Sequence, residues 1–365
     1  MDISNTRNRP TQGRGRRRIG KVRIFYLDLL RVIACFLVIV NHTDSSLLKS
    51  LEPCFLWYVS LTYFFICKAA VPIFLMITGA VSLAHMDERE KNREKVKKIV
   101  VVILVTSLFY YMDGVIRHKQ PLSVMGLIRA VMSIPTRSSW YLYLFLALML
   151  FLPYFQKLAY ELDREELRRF CILSVGAGGF LPLLSLLTKI KIKNEFYFGM
   201  LSVYIGLLFC GHYLNTYIQL SKMQAVLAAG VYFLLLLGQV LTTRYFYGRN
   251  HRRFLVLDER TYLTITLGSA CLFLIVKYLC QRKEDQNPGV LYRCMQSFIY
   301  SLAKLTFGIY LSGDWLIGIL KPFRVMLEGY LPPFPALILY ELVIFGSGAL
   351  ITAVLRKIPV FRKYL

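Results

Sequence analysis

The 365-residue sequence is poor in charge and poorer still in acid: 18% of residues are charged, with 21 Asp and Glu against 45 Lys and Arg. Soluble chains carry about a quarter charged residues, so the deficit argues against a set of ordinary soluble domains. The sequence has no Walker loop, no G-x-G-x-x-G ahead of a soluble helix, no H-E-x-x-H and no G-x-S-x-G. Their absence removes the commonest signatures of nucleotide, zinc-protease and hydrolase sites. The eight cysteines form no C-x-x-C pair and have no metal-like spacing to the five histidines. They read as small hydrophobes, and no metal site is expected.

Apolar residues fill the space that charge leaves. Hydrophobic residues make up 56% of the chain, and mean hydropathy is +0.51. A membrane-crossing helix needs about 20 apolar residues, and stretches of that order recur near residues 24–43, 57–84, 97–116, 139–158, 170–187, 196–214, 225–243, 261–280, 298–318 and 334–355. Pro72 is the expected break in the long second stretch. Ten spans put both termini on one side. The basic N-terminal tail and the run DEREKNREKVKK mark that side as cytoplasmic, while RNHRR in an expected external loop argues mildly the other way.

The expectation is therefore an all-α, polytopic integral membrane protein of the cell membrane, with about ten transmembrane helices and both termini cytoplasmic. Residues 1–20 are expected to form a basic, disordered cytoplasmic tail, and residues 21–365 the membrane domain. The net charge of +24 then reads as topology and contact with membrane lipid, with no nucleic-acid partner. The first apolar run lacks an A-x-A-like end and contains Asp28 and Arg31, which disfavours a cleaved signal peptide. The connections are too short for a soluble catalytic domain, so any chemistry belongs in or at the membrane.

An ionisable side chain within a span is expensive unless it faces a partner, protein interior or water. The first span, YLDLLRVIACFLVIVNHT, holds three. Arg31 and His42 lie eleven positions apart, which returns them to within about 20° of one direction, roughly 16 Å apart along the axis; Asp28 falls about 40° from His42. One reading is a separate Asp28–Arg31 pair near one interface, with His42 ending the helix near the other. The second is a water-accessible channel in which His42 accepts a proton and Arg31 holds an anion or an oxyanion.

Lys68 either approaches an anionic donor or pairs with Asp28 or Glu341, and Asp314 and Glu341 read as buried packing partners. His212 reads as interfacial, His85 and His118 as boundary residues, and His251 as part of the basic external loop.

The segment YLDLLRVIACFLVIVNH, followed in order by VPIFLMITGAVSL, SWYLYLFLALMLFLPYFQKL, YIGLLFCGHYL and LTFGIYLSGDWLI, resembles the integral-membrane acyltransferase family 3. Members of that family include O-acetyltransferases of bacterial surface glycans. The resemblance implies His42 as catalytic base, Arg31 in the donor or reaction site, and Asp28 orienting or tuning that site. It further implies transfer of an acyl group, commonly acetyl, from acyl-CoA to a hydroxyl of a surface or lipid-linked carbohydrate, with no tightly bound cofactor.

Arg89, Arg93, Lys95, Lys97 and Lys98 would then offer the CoA phosphates a basic surface, or serve only as positive-inside charge. The resemblance departs at two points where many relatives have a His: RSSWYLY has Ser138 or Ser139 before the fourth-span aromatics, and YLSGD has Gly313 followed by Asp314. A transporter or exporter of a surface or lipid-linked glycan is the competing function, and a homodimer through an outer helix face is compatible with the sequence.

Overall fold

The computed structural model describes residues 24–85, 89–117, 121–132, 139–188, 198–249, 257–259, 261–285 and 289–364. The 1–20 tail, Ser138, His118, His251 and the side chain of Arg89 lie outside the described residues.

The described residues form helices and connections, with no strand among them. In chain order the helices are α1 (Phe25–Ser50), α2 (Phe55–Cys67), α3 (Ala70–Ser82), α4 (Arg89–Ile116), α5 (Val124–Met132), α6 (Trp140–Glu161), α7 (Arg164–Cys171), α8 (Gly178–Thr188), α9 (Phe198–Tyr217), α10 (Lys222–Arg249), α11 (Leu263–Asp285), α12 (Val290–Ala303), α13 (Thr306–Ile319), α14 (Lys321–Tyr330), α15 (Pro333–Leu355) and α16 (Pro359–Tyr364). A π-helical turn, Ile172–Ala177, joins α7 to α8.

Eight segments among the described residues have the length and apolarity to cross a membrane. These are all-helical and polytopic features, as the apolar runs require. The other two stretches read from sequence correspond to α9, whose last turns carry His212 and Asn215, and to α12 plus α13, which are interrupted at Lys304–Leu305.

The second stretch corrects the sequence reading in one respect. Its interruption is at Lys68–Ala69, between α2 and α3, and Pro72 sits inside the first turn of α3. A proline cannot donate to the carbonyl four residues upstream, and its ring crowds that carbonyl. The carbonyl in question belongs to Lys68, so the break appears there. Pro72 itself loses nothing, because first-turn amides have no intrahelical acceptor.

α1 is the hub of the bundle, packed against α2, α3, α11, α12, α13 and α15. Its faces bury Phe25, Leu30, Ala34 and Val40, with T-shaped contacts from Phe25 to Tyr292 and Tyr300. α3 and α9 pack backbone to backbone. A Cβ on Gly79 would overlap the Leu208 carbonyl, and one on Gly211 the Met76 carbonyl. In a bilayer, where apolar burial adds little drive to helix association, small residues at a crossing allow the close dispersion contact that holds helices together.

At the neighbouring end, the buried Lys277 of α11 donates to the carbonyls of Leu214 (3.0 Å), Asn215 (2.8 Å) and Ile218 (2.7 Å). These include carbonyls that the end of α9 leaves without intrahelical donors. The cation also complements the negative end of that helix.

Candidate active site

A constellation of polar groups surrounds a cavity of about 300 Å³ bounded by α1, α3, α6 and α13. Arg31, Asn41 and His42 enter it from α1, and Lys68 enters from the α2–α3 break. Much of the remaining wall is aromatic: Phe74, Trp140, Tyr141, Phe145, Phe307 and Tyr310. The eleven-residue spacing thus delivers Arg31 and His42 to one space, about 16 Å apart along α1.

Asp28 is buried and is not among the cavity walls; its Oδ1 accepts from Arg31 Nη1 at 2.6 Å. Its place is behind Arg31, fixing the guanidinium while the side chain of Arg31 stays about one-third exposed.

Lys68 belongs to the His42 end. Its ammonium donates to Asn41 Oδ1 at 2.8 Å and lies 4.1 Å from the Phe64 ring centroid. Asn41 precedes His42 in sequence and both line the cavity, so the ammonium sits at the His42 end of that space.

Glu341 of α15 is fully buried and grips the same turn of α1. One carboxylate oxygen accepts from Thr43 Oγ1 at 2.5 Å, and the other from Tyr63 of α2 at 2.7 Å. Arg324 of α14 donates to the Thr43 carbonyl at 3.4 Å and pairs with Glu328 at 2.8 Å. The residue after His42 is therefore held from α15 and α14, with Tyr63 of α2 fixing the Glu341 carboxylate.

Asp314 and Gly313 border a small void with His42, Cys35 and Tyr310. Gly313 and Asp314 thus lie beside His42, and the buried Ser139 precedes Trp140 of the cavity wall.

The basic residues of α4 diverge. Arg93 and Lys97 line a separate groove with Lys157 of α6, and this groove shares no residue with the cavity. Lys97 also pairs with Glu94 at 2.9 Å. Lys98 is partly buried and lies within electrostatic reach of Arg356, while Lys95 faces neither space. His212 is buried in α9 outside the cavity walls, and His85 is exposed, its carbonyl accepting from Gln156 Nε2 at 2.9 Å. No cluster of His, Cys, Asp and Glu suited to a metal ion occurs among the described residues.

The helices thus enclose a cavity whose lining includes a guanidinium, an ammonium and an imidazole. The chain belongs to acyltransferase family 3: the family model, described as an acyltransferase domain, matches residues 24–356. No curated protein and no solved structure gives a match. Membership makes the chain an acyltransferase-type integral membrane protein.

Proposed function

We propose that the protein is a cell-membrane O-acyltransferase, which moves an acyl group, acetyl in the first instance, from acyl-CoA to a hydroxyl of a surface or lipid-linked carbohydrate. The observation that carries this reading is the convergence of Arg31, His42 and Lys68 on one cavity in a chain of the acyltransferase family. Both termini are cytoplasmic in this proposal, so acyl-CoA enters from the Arg31 end and the acceptor approaches His42 from the opposite face. Lys98 and Arg356 offer positive charge to the CoA phosphates, and Arg31 holds the donor where its arm enters the cavity.

This proposal divides the work differently from the mechanism that the resemblance implies. Arg31 and His42 are separated by about 16 Å of helix, so the two side chains do not meet on one reacting carbonyl. Lys68, anchored to Asn41, is the cation at the imidazole's end of the cavity. In the reaction, neutral His42 takes the hydroxyl proton as the acceptor oxygen bonds to the thioester carbonyl carbon. The carbonyl π electrons move to oxygen, and the Lys68 ammonium stabilises that oxyanion. Collapse re-forms the carbonyl and breaks the C–S bond. The imidazolium returns its proton to the departing thiolate, which leaves as CoA thiol. Asp28 and Glu341 act through Arg31 and the His42 turn, as positioning residues.

The test uses purified full-length protein, labelled acetyl-CoA and carbohydrate acceptors, with the O-acyl product read by mass spectrometry. His42→Ala is expected to lower turnover by about 10²–10⁴-fold while preserving the unfolding temperature. Unchanged turnover in that variant removes the mechanism, and absence of acyl transfer to any hydroxyl removes the function.

A further inference from the structure

The groove between α4 and α6 carries charge and a buried, unpartnered hydrogen-bond acceptor that the reaction does not use. Its volume is about 550 Å³, and its walls are Asn92, Arg93, Val96 and Lys97 of α4 with Leu150, Pro153, Tyr154 and Lys157 of α6. Three of these wall residues are cations and none is a carboxylate, so the walls are net positive even though Lys97 pairs with Glu94 at 2.9 Å.

Pro153 explains the local chemistry. Having no N–H, it leaves the Met149 carbonyl without its helical donor, and Asn92 Nδ2 supplies one at 3.2 Å. That bond fixes the Asn92 amide, whose residue is only 7% exposed. It also leaves Oδ1 of the same amide buried and without a hydrogen-bond partner among the described residues. A buried acceptor lacking a donor is unfavourable, so a site with this composition suits a ligand that brings both a negative charge and a hydroxyl donor.

Leu150, Phe151 and Tyr154 are exposed along α6, as are Val100 and Leu104 along α4. The groove therefore continues into a pair of apolar, outward-facing helix surfaces on which acyl chains can lie.

We propose that this groove binds the headgroup of an anionic glycerophospholipid bearing free hydroxyls, of the phosphatidylglycerol type. The phosphodiester sits among Arg93, Lys97 and Lys157, and a headgroup hydroxyl donates to Asn92 Oδ1. The lack of any residue shared with the cavity separates this site from the donor site, and its apolar continuation favours a lipid over a soluble phosphate.

The test is competitive lipid retention by the purified full-length protein, measured by native mass spectrometry with phosphatidylglycerol, phosphatidylcholine and phosphatidylmethanol of matched chains. Phosphatidylmethanol keeps the phosphodiester charge and lacks the hydroxyls. Phosphatidylglycerol is expected to be retained at least tenfold better than phosphatidylcholine. The exposed side chains permit Arg93→Gln and Lys157→Gln without loss of packing, and each is expected to reduce that preference by about fivefold. Phosphatidylglycerol should also exceed phosphatidylmethanol by about fivefold, the effect of one buried hydrogen bond.

Equal retention of phosphatidylglycerol and phosphatidylcholine, or a preference unmoved by both substitutions, overturns the assignment. Equal retention of phosphatidylglycerol and phosphatidylmethanol overturns the role of Asn92. Displacement of the bound lipid by coenzyme A overturns the separation from the donor site. The measurement involves no acyl transfer and stands or falls apart from the proposed reaction.

Discussion

Replacing Lys68 by Met removes the ammonium while keeping a side chain of similar length, and the position of that ammonium sets the size of the effect. A unit charge 4 Å from a developing oxyanion contributes about 4 kcal/mol at an effective dielectric of about 20, whereas one 16 Å away contributes about 1 kcal/mol. Lys68 is held to Asn41, next to His42; Arg31 is about 16 Å down the same helix. Loss of one preorganised oxyanion donor in other enzymes lowers turnover by about 10²–10³-fold, which matches the nearer geometry. The distant one amounts to about fivefold.

Lys68→Met is therefore expected to lower kcat by about 10²–10³-fold with little change in KM for acetyl-CoA. Arg31→Gln, made together with Asp28→Asn so that no buried carboxylate is left unpaired, is expected to raise KM and to change kcat by no more than about fivefold. Initial rates across an acetyl-CoA concentration series, on protein checked for an unchanged unfolding temperature, distinguish the two. Lys68→Met turning over within threefold of the wild type refutes the reasoning. So does an Arg31 variant that loses as much kcat at unchanged KM.

The backbone contact between α3 and α9 leaves no room for a side chain. Gly79→Val and Gly211→Val should each lower stability by about 1–3 kcal/mol or more, whereas Gly230→Ala and Gly238→Ala, with nothing within 4 Å of the added Cβ, should be tolerated; thermal unfolding in detergent compares them. Lys277→Met withdraws the donor shared by three carbonyls and should cost about 1–3 kcal/mol, with faster hydrogen exchange confined to the end of α9. A double-mutant cycle of Thr43→Val and Glu341→Gln should give a stability coupling of about 0.6–1.7 kcal/mol, the range for hydrogen bonds between membrane helices. Strict additivity would mean that the 2.5 Å contact contributes no net stability.

The residues legible in the sequence are those whose relation is fixed within one helix. The 100° step alone puts Arg31 and His42 on one face, and the cavity they share follows from that face turning inward. The Asp28–Arg31 bond is equally local. Lys68 was visible as a misplaced charge, but its partner depends on how the α2–α3 break meets α1, which no spacing within either segment encodes.

Glu341 is a similar case: it reads as a packing acid in the last long helix, yet it bonds a threonine 298 positions earlier. The break in the second span was expected at Pro72 and falls at Lys68–Ala69 because proline disturbs the carbonyl behind it. The basic run 89–98 looked like one surface. A helix distributes such residues around its circumference, and Arg93 and Lys97 face a different space from Lys98.

The break between α2 and α3 also has an electrical meaning. It gives the bundle a helix N-terminus in the interior of a 28-residue apolar segment, and two residues of that first turn, Ala70 and Val71, belong to the cavity wall. Aligned peptide dipoles place the equivalent of about half a positive charge at such an end. The carbonyl end of α2, at Cys67, meets it there with the opposite partial charge. The interruption sets the amide end of α3 and the carbonyl end of α2 side by side at Lys68, a local polarity that does not depend on pH and cannot be removed by changing a side chain.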